Sequence, residues 1–138
     1  MSDELADEVW RSMAAVVFDN RDVWKRSIID QTGLPFSRVR VLIRLARRPM
    51  TAKEIAEAAT MDAPATTVAI NDLEERGLVV RETDPTNRRS KLVSLTDEGR
   101  RVCASIDEVD DPAPDPFATL SEAELLALQA ILAKLSAD

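Results

Sequence analysis

The sequence contains no histidine and no tyrosine, a single cysteine and only three glycines among its 138 residues. The missing histidine removes the commonest general base and the commonest zinc ligand. Three scattered glycines, Gly33, Gly77 and Gly99, cannot build a loop that cradles a phosphate. A lone Cys103 cannot form an internal disulfide, which fits a reducing compartment. We therefore expect a cytoplasmic protein without catalytic residues, metal or cofactor.

Long hydrophobic runs are absent as well. The longest, residues 13–18, has six residues and is far too short to span a membrane. The amino terminus is acidic, with Asp3, Glu4, Asp7 and Glu8, whereas a secretion signal begins with basic residues. We predict no membrane partner.

The charge is unevenly distributed along the chain. The net charge is −7, but residues 31–101 carry 13 basic and 10 acidic side chains, so this central part is cationic. Two acidic ends flank it. Because local charge matters more than the total for a polyanionic partner, nucleic acid stays compatible with this composition.

Residues 1–76 have the patterns of four helices. An apolar stripe predicts one long helix over residues 4–31, and a second helix follows from about residue 35 to 47. The capping box Thr51–Glu54 begins a short third helix. Asp62 caps a fourth helix, which has Pro64 in its first turn and ends near Arg76 before a left-handed Gly77.

After Gly77 the pattern changes to two short strands, residues 78–83 and 91–95. The segment between them, residues 84–90, is too long for a two-residue turn. Thr96 then caps a fifth helix to about Val109, and a capping box at Ser121 begins the last helix. The order helix, helix, strand, strand predicts a mainly α (α+β) fold. The expected architecture is a winged helix-turn-helix with a two-stranded wing, flanked by N- and C-terminal helices.

Four segments carry a resemblance to a known family: Ile55-Ala56, residues 73–79, residues 84–91 and residues 93–100. Together they resemble the MarR family of bacterial regulators, most densely over residues 34–101. The resemblance implies a homodimer that binds pseudo-palindromic operators, usually as a repressor released by small aromatic or lipophilic ligands or by oxidation. It divides the single domain 1–138 into a DNA-binding region, 34–101, and dimerisation helices within 1–33 and 102–138.

The predicted DNA contacts come from three places. The fourth predicted helix is the recognition helix of this fold. Its outer face holds short side chains that suit thymine methyls and adenine edges, namely Pro64, Ala65, Thr67, Val68 and Asn71. The wing supplies Thr86, Asn87, Arg88, Arg89 and Lys91, and the resemblance implies a salt bridge between Asp84 and Arg89. Phosphate contacts are expected from Arg38, Arg40, Thr51 and Lys53. We expect an operator rich in A·T pairs.

The terminal helices carry apolar stripes that one short chain cannot cover. The predicted dimer interface comprises Trp10, Met13, Val17, Leu125, Leu128, Leu132 and Leu135, although intrachain core is an alternative for some of them. The resemblance implies a ligand pocket near Trp10, Phe18, Trp24, Phe36 and Arg40, although ordinary core packing is favoured for the aromatics.

Three alternatives to a ligand-released repressor remain. A winged-helix module for protein partners would bind no DNA. A redox-sensing regulator would use Cys103, although an inert thiol is favoured because no second cysteine could resolve an oxidised intermediate. An enzyme would need a carboxylate pair such as Asp110 and Asp111, which lie in a proline-broken acidic run typical of a solvated loop.

Overall fold

The computed structural model describes residues 2–137, and within them it contains seven α-helices, one short 3-10 helix and one two-stranded sheet. The elements are α1 (Ser2–Asn20), α2 (Asp22–Thr32), α3 (Phe36–Leu45), α4 (Ala52–Ala59), α5 (Ala63–Glu75), β1 (Val79–Asp84), β2 (Asn87–Leu95), α6 (Asp97–Asp107), the 3-10 helix (Asp115–Thr119) and α7 (Glu122–Ser136). This is the predicted mainly α fold with a two-stranded wing. The described residues form two compact units: the winged unit, residues 21–109, and the terminal unit, residues 2–20 and 110–137.

The expected single helix over residues 4–31 is wrong, because the chain breaks at Arg21 into α1 and α2. Asparagine and aspartate are poor residues for a helix interior, and both occur beside the break. The Asn20 side-chain amide donates to the Val16 carbonyl oxygen at 2.7 Å, and Asp22 begins α2, where a carboxylate favours the helix N-terminus. These two local effects outweigh the apolar stripe that continues across residues 20–22.

The core of the winged unit consists of aliphatic side chains from α2 to α6 and both strands. Its fully buried members include Ile28, Val39, Val41, Leu42, Ile55, Ala69, Ile70, Leu73 and Val93. Burying a side chain of this size stabilises the fold by about 1.5–3 kcal/mol. Since α3, α4 and α5 all contribute to this cluster, the core determines the angle at which α5 is presented.

The wing is an antiparallel hairpin in which Val79 pairs with Leu95 and Thr83 with Lys91. The prediction of a long loop over residues 84–90 is wrong. The strands continue to a two-residue turn at Pro85 and Thr86, and Asp84 pairs with Asn87. The extra residues 88–90 are accommodated as a bulge in β2, a device that adds twist without lengthening the turn.

The wing is held at its base by two further contacts. Met50 forms an isolated bridge with Val93, with N–H···O distances of 3.1 and 2.7 Å. On the other side, Thr96 caps α6 as predicted, and its hydroxyl donates to the Gly77 carbonyl at 2.6 Å. The first turn of α6 lies directly against the backbone of Leu78, because a Cβ on Gly99 would be 2.1 Å from the Leu78 carbonyl oxygen.

The terminal unit exposes most of its large apolar side chains, among them Trp10, Phe18 and Leu135. The predicted capping box at Ser121 begins α7, and the Ser121 backbone N–H holds the pKa of Glu124 below its ordinary value. Within this unit, α1, the 3-10 helix and α7 line an open apolar groove of about 650 Å³. Across residues 2–137, we find no helix with both the length and the apolar character needed to cross a membrane.

Candidate nucleic-acid interface

Helices α4 and α5 meet at a tight turn. The predicted capping box at the start of α4 is confirmed: Thr51 Oγ1 accepts from the Glu54 N–H at 3.2 Å, and Glu54 accepts from the Thr51 N–H at 3.1 Å. That second bond, followed by the bond from Arg48, lowers the pKa of Glu54. Thr60 ends α4 in the left-handed region at φ 53°, and Asp62 caps α5 by accepting from the Ala65 N–H at 2.7 Å. The arrangement is that of a helix-turn-helix with α5 as its second helix.

Helix α5 has a buried face and an exposed face, divided as the sequence predicts. The buried face consists of Thr66, Ala69, Ile70 and Leu73. The exposed face consists of Pro64, Ala65, Thr67, Val68 and Asn71. Val68 is 57% exposed, so this face offers an apolar side chain that can contact a thymine methyl group. That these side chains contact bases stays a prediction.

An ion-pair network connects α5 to α3. Arg38 Nε donates to Asp72 Oδ2 at 2.9 Å, and Arg76 Nε donates to Asp72 Oδ1 at 3.1 Å. Both guanidinium groups, Arg38 first, hold the pKa of Asp72 below its ordinary value. The Arg38 side chain is only 20% exposed and connects α5 to α3, and its predicted phosphate contact stays a prediction.

A second network connects α5 to the wing, and sequence reasoning missed it. Arg81 on β1 donates from Nη1 to Glu74 Oε1 at 2.8 Å and from Nη2 to Asn71 Oδ1 at 2.7 Å. No local pattern indicates this contact, because Arg81 lies ten residues from Asn71 on a different element. One arginine thus holds two side chains that lie one turn apart on α5.

The wing differs from its prediction in one contact. Asp84 and Arg89 do not form an ion pair in the described hairpin. Instead, the Asp84 carboxylate accepts from the Thr86 N–H at 2.9 Å and from the Thr86 hydroxyl at 2.8 Å, while Asn87 Oδ1 accepts from the Arg89 N–H at 3.1 Å. Short polar side chains that bind their own backbone are typical of turns, and here they replace the longer-range pair. Arg88 and Arg89 are both exposed.

Comparison with known proteins identifies this arrangement. The family model of the MarR family matches residues 32–90. The proposed regulator of the hcr operon in Thauera aromatica is 31% identical over 112 residues, which cover 80% of this chain and 68% of that protein. The chain belongs to the MarR family.

Two solved structures of MarR-type regulators have the same fold. Apo MarR from E. coli aligns with a TM-score of 0.73 at 20% identity, over 91% of this chain and 96% of that one. A mutant MepR from S. aureus, bound to an oligodeoxyribonucleotide, aligns with a TM-score of 0.61 at 20% identity, over 94% of each chain. The MarR-family chain described here is accordingly a transcriptional regulator with a DNA-binding fold, and its relatives are regulators rather than enzymes.

The other basic residues of this MarR-family chain that are predicted to contact DNA differ in their hydrogen-bond partners. Arg40 donates from Nη2 to the Ala59 carbonyl at the carboxyl end of α4, where a positive charge is favourable, and its contact with phosphate or ligand stays a prediction. Lys91 Nζ donates to Thr83 Oγ1 at 3.0 Å across the wing. Lys53, in the first turn of α4, is exposed, and the described residues provide it with no hydrogen bond or ion pair.

The aromatic residues predicted to line a ligand pocket fall into two groups. Trp24 and Phe36 pack edge to face in the winged unit, with ring centroids 5.8 Å apart. Arg21 lies 3.8 Å from the Trp24 ring centroid, and Lys25 lies 5.3 Å from that of Phe36. Trp10 and Phe18 lie on α1 in the terminal unit and are 68% and 72% exposed.

The predicted dimer residues of this regulator all lie in the terminal unit. Trp10, Val17, Leu125, Leu132 and Leu135 are exposed, while Met13 and Leu128 are half-buried. Met13, Val17, Leu128 and Leu132 line the apolar groove. They do not form a closed core within one chain.

Cys103 on α6 is half-buried against the core, with its thiol 3.6 Å from the Leu42 carbonyl oxygen. Burial, and secondarily the charge of Asp107, raises the pKa of this thiol. A raised pKa disfavours the reactive thiolate at neutral pH. Over residues 2–137, no group of three or more histidine, cysteine, aspartate or glutamate side chains could hold a metal ion.

Proposed function

We propose that this MarR-family regulator is a homodimeric repressor. It binds a pseudo-palindromic operator in the cytoplasm and is released by a small aromatic or lipophilic ligand. In this proposal residues 34–101 bind DNA, and the segments 1–33 and 102–138 contribute to dimerisation. The observation that carries it is the outer face of α5, which is exposed, composed of short side chains and braced from both α3 and the wing.

The DNA contacts of the proposal follow from charge and side-chain size. Short side chains such as Ala65 and Val68 let a helix approach base edges closely, and Val68 reads thymine methyls. The exposed cations Lys53, Arg88 and Arg89 supply phosphate or minor-groove contacts. With two to three such contacts per protomer, a dimer neutralises about 4–6 phosphates, which corresponds to a slope near −4 to −5 of log affinity against log salt.

The dimer of the proposal rests on apolar surface that a single chain leaves uncovered. Of the fifteen large hydrophobic residues that are exposed in residues 2–137, eleven belong to the terminal unit. Monomeric proteins rarely expose so many large apolar side chains in one part of their surface. A second copy would cover it with the same surface, and its two-fold symmetry would require an inverted repeat with half-sites one helical turn apart.

Release by a ligand is the third part of the proposal. It rests on the Trp24–Phe36 pair, whose rings are half-buried and keep some surface for stacking an aromatic molecule. Titration of candidate aromatic acids and lipophilic phenols into the protein–DNA complex tests it, with displacement of labelled DNA as the readout.

Fluorescence anisotropy tests the DNA-binding part. The full chain is titrated onto its own upstream intergenic DNA and onto scrambled DNA of equal length, over a salt series. We expect a preference of about a thousandfold or more for the upstream DNA. Equal affinity for both probes, followed by failure to enrich any motif from a random-sequence pool, would contradict the proposal and favour a winged-helix module for protein partners.

Sedimentation equilibrium tests the dimer with a matched pair of variants. Leu132→Asp places a carboxylate on the groove side of α7, whereas Ala130→Asp places one on an exposed position that does not line the groove. We expect Leu132→Asp to be monomeric at micromolar concentration and Ala130→Asp to remain dimeric. A wild-type protein that is monomeric at the same concentration would contradict the proposal.

A further inference from the structure

The guanidinium of Arg81 restricts what Asn71 can offer to a base. Its Nη2 lies 2.7 Å from Asn71 Oδ1, and its Nη1 lies 2.8 Å from Glu74 Oε1. Both acceptors belong to α5, while Arg81 belongs to β1, where it pairs with Val93. The arginine is therefore held at two points, and its planar group keeps Asn71 in one orientation.

The orientation of the Asn71 amide follows from elementary chemistry. An arginine side chain has only N–H donors and stays charged at any relevant pH, so the amide atom that faces it must be the oxygen. The amide nitrogen, with its two N–H groups, is then the part of Asn71 left for a partner. Asn71 is exposed, and the described residues give its Nδ2 no hydrogen bond.

This orientation changes the base that Asn71 prefers. An unrestrained asparagine reads adenine with both amide atoms, since its oxygen accepts from N6 and its nitrogen donates to N7. With the oxygen bound to Arg81, an adenine amino group would have to approach the arginine cation to reach the second lone pair. The keto oxygens of guanine and thymine, by contrast, accept from the free amide nitrogen and are attracted by that charge.

We propose that Arg81 is a specificity-determining residue. By occupying Asn71 Oδ1, it converts Asn71 from an adenine reader into a donor that selects a keto base, guanine or thymine, at one position of each half-site. This inference rests on the proposed function, in which α5 enters the major groove. It revises the expectation, drawn from residue type alone, that Asn71 favours adenine.

Selection from a random-sequence DNA pool tests the inference with the full chain and four variants. Asn71→Ala identifies the position, because it removes the base preference there and leaves the others. At that position the wild type selects guanine or thymine. Arg81→Met frees the amide oxygen and shifts the preference toward adenine by about fivefold, the low end of what one bidentate contact discriminates.

Two further variants isolate the cause. Asn71→Ala combined with Arg81→Met shows no preference at the position, because the shift passes through the amide. Arg76→Met removes a different arginine of this surface, one that binds Asp72 and not Asn71, and leaves the selected base unchanged. Arg81→Val replaces Arg81→Met if the latter fails to fold, judged by circular dichroism, because valine suits a strand.

The outcomes separate this inference from the proposed function. Adenine at the Asn71 position in the wild type overturns the inference alone, and so does an unchanged base in the Arg81 variant that folds. An Asn71→Ala protein that selects the wild-type motif at every position overturns it as well. A wild type that enriches no motif overturns the proposed function, and the inference with it.

Discussion

Arg38 on α3 and Asp72 on α5 form an ion pair with an Nε–Oδ2 distance of 2.9 Å, although they lie 34 residues apart in the sequence. Residue type alone predicts that Arg38 contacts phosphate. In the structure its guanidinium instead binds Asp72 and so holds α5 against α3. An arginine near a nucleic-acid interface can neutralise a phosphate directly or position the helix that contacts bases. The ion pair with Asp72 gives Arg38 the second role.

The salt dependence of DNA binding distinguishes these two uses. Each phosphate contact that is removed reduces the salt slope by about one. We expect Lys53→Met to reduce the magnitude of the salt slope by about two per dimer, because Lys53 is exposed and free of other partners among the described residues. Arg38→Met weakens binding but leaves the slope within experimental error. A slope that falls equally in both variants would show that Arg38 leaves Asp72 to bind phosphate.

The stability of the winged unit depends on pH through Asp72. Arg38 and Arg76 hold its pKa below the ordinary value of 3.8, so folding favours the ionised carboxylate. Its contribution to stability is complete above pH 3.8 and is lost as the pH falls through the lower pKa of the folded state. We expect urea unfolding of wild type and Asp72→Asn to differ by a constant amount at neutral pH and to converge below pH 3.8. A difference that grows with acidity would contradict this assignment.

Gly99 is required by packing rather than by backbone conformation. A Cβ at this position would be 2.1 Å from the Leu78 carbonyl oxygen, which also accepts from the Thr96 N–H at 3.1 Å. Gly99→Ala must shift α6 away from the Leu78 backbone, and we expect thermal unfolding to show a loss of about 1–3 kcal/mol. Gly33→Ala is the control, since that site has open space and a φ of +69°. It should lose about 1–2 kcal/mol from its left-handed conformation alone, without displacing a packed element. Equal stability of wild type and Gly99→Ala would contradict the close packing.

Cys103 is expected to be inert toward mild oxidants. Its thiol is half-buried and its pKa is raised by burial and by Asp107, so little thiolate is present at neutral pH. Peroxide at concentrations that oxidise exposed reactive thiols should leave the DNA affinity unchanged in wild type and in Cys103→Ser alike. Release of DNA from the wild type only, reversed by a thiol reductant, would instead establish the redox-sensing alternative.

The elements that sequence reasoning located correctly depend on interactions between near neighbours. The capping boxes at Thr51 and Ser121 involve residues three positions apart, and Asp62 caps α5 over the same separation. The division of α5 into buried Thr66 and exposed Val68 follows from the helical period. Such features are readable because the interacting groups lie within one turn of each other.

Sequence reasoning failed where two local preferences competed. The apolar stripe of residues 4–31 continues across Asn20 and Asp22, but their poor helix propensity and capping chemistry break the helix at Arg21. In the wing, counting residues 84–90 suggested a long loop, but the bulge in β2 absorbs three of them. Neither outcome follows from a pattern, because each depends on which of two small free energies is larger.

The sequence by itself determined the class of this protein: the order of helices and strands from α3 to α6, the residues of the outer α5 face and membership of the MarR family. Tertiary structure alone decided which polar side chains are available to a ligand. Arg40 and Ala59 are 19 residues apart, and Arg81 and Asn71 are ten, so no period connects them. The physical reason is that burial and hydrogen-bond partners depend on how the core packs α3, α5 and β1 together, and a donor or acceptor atom that binds a neighbouring element is no longer free to contact DNA.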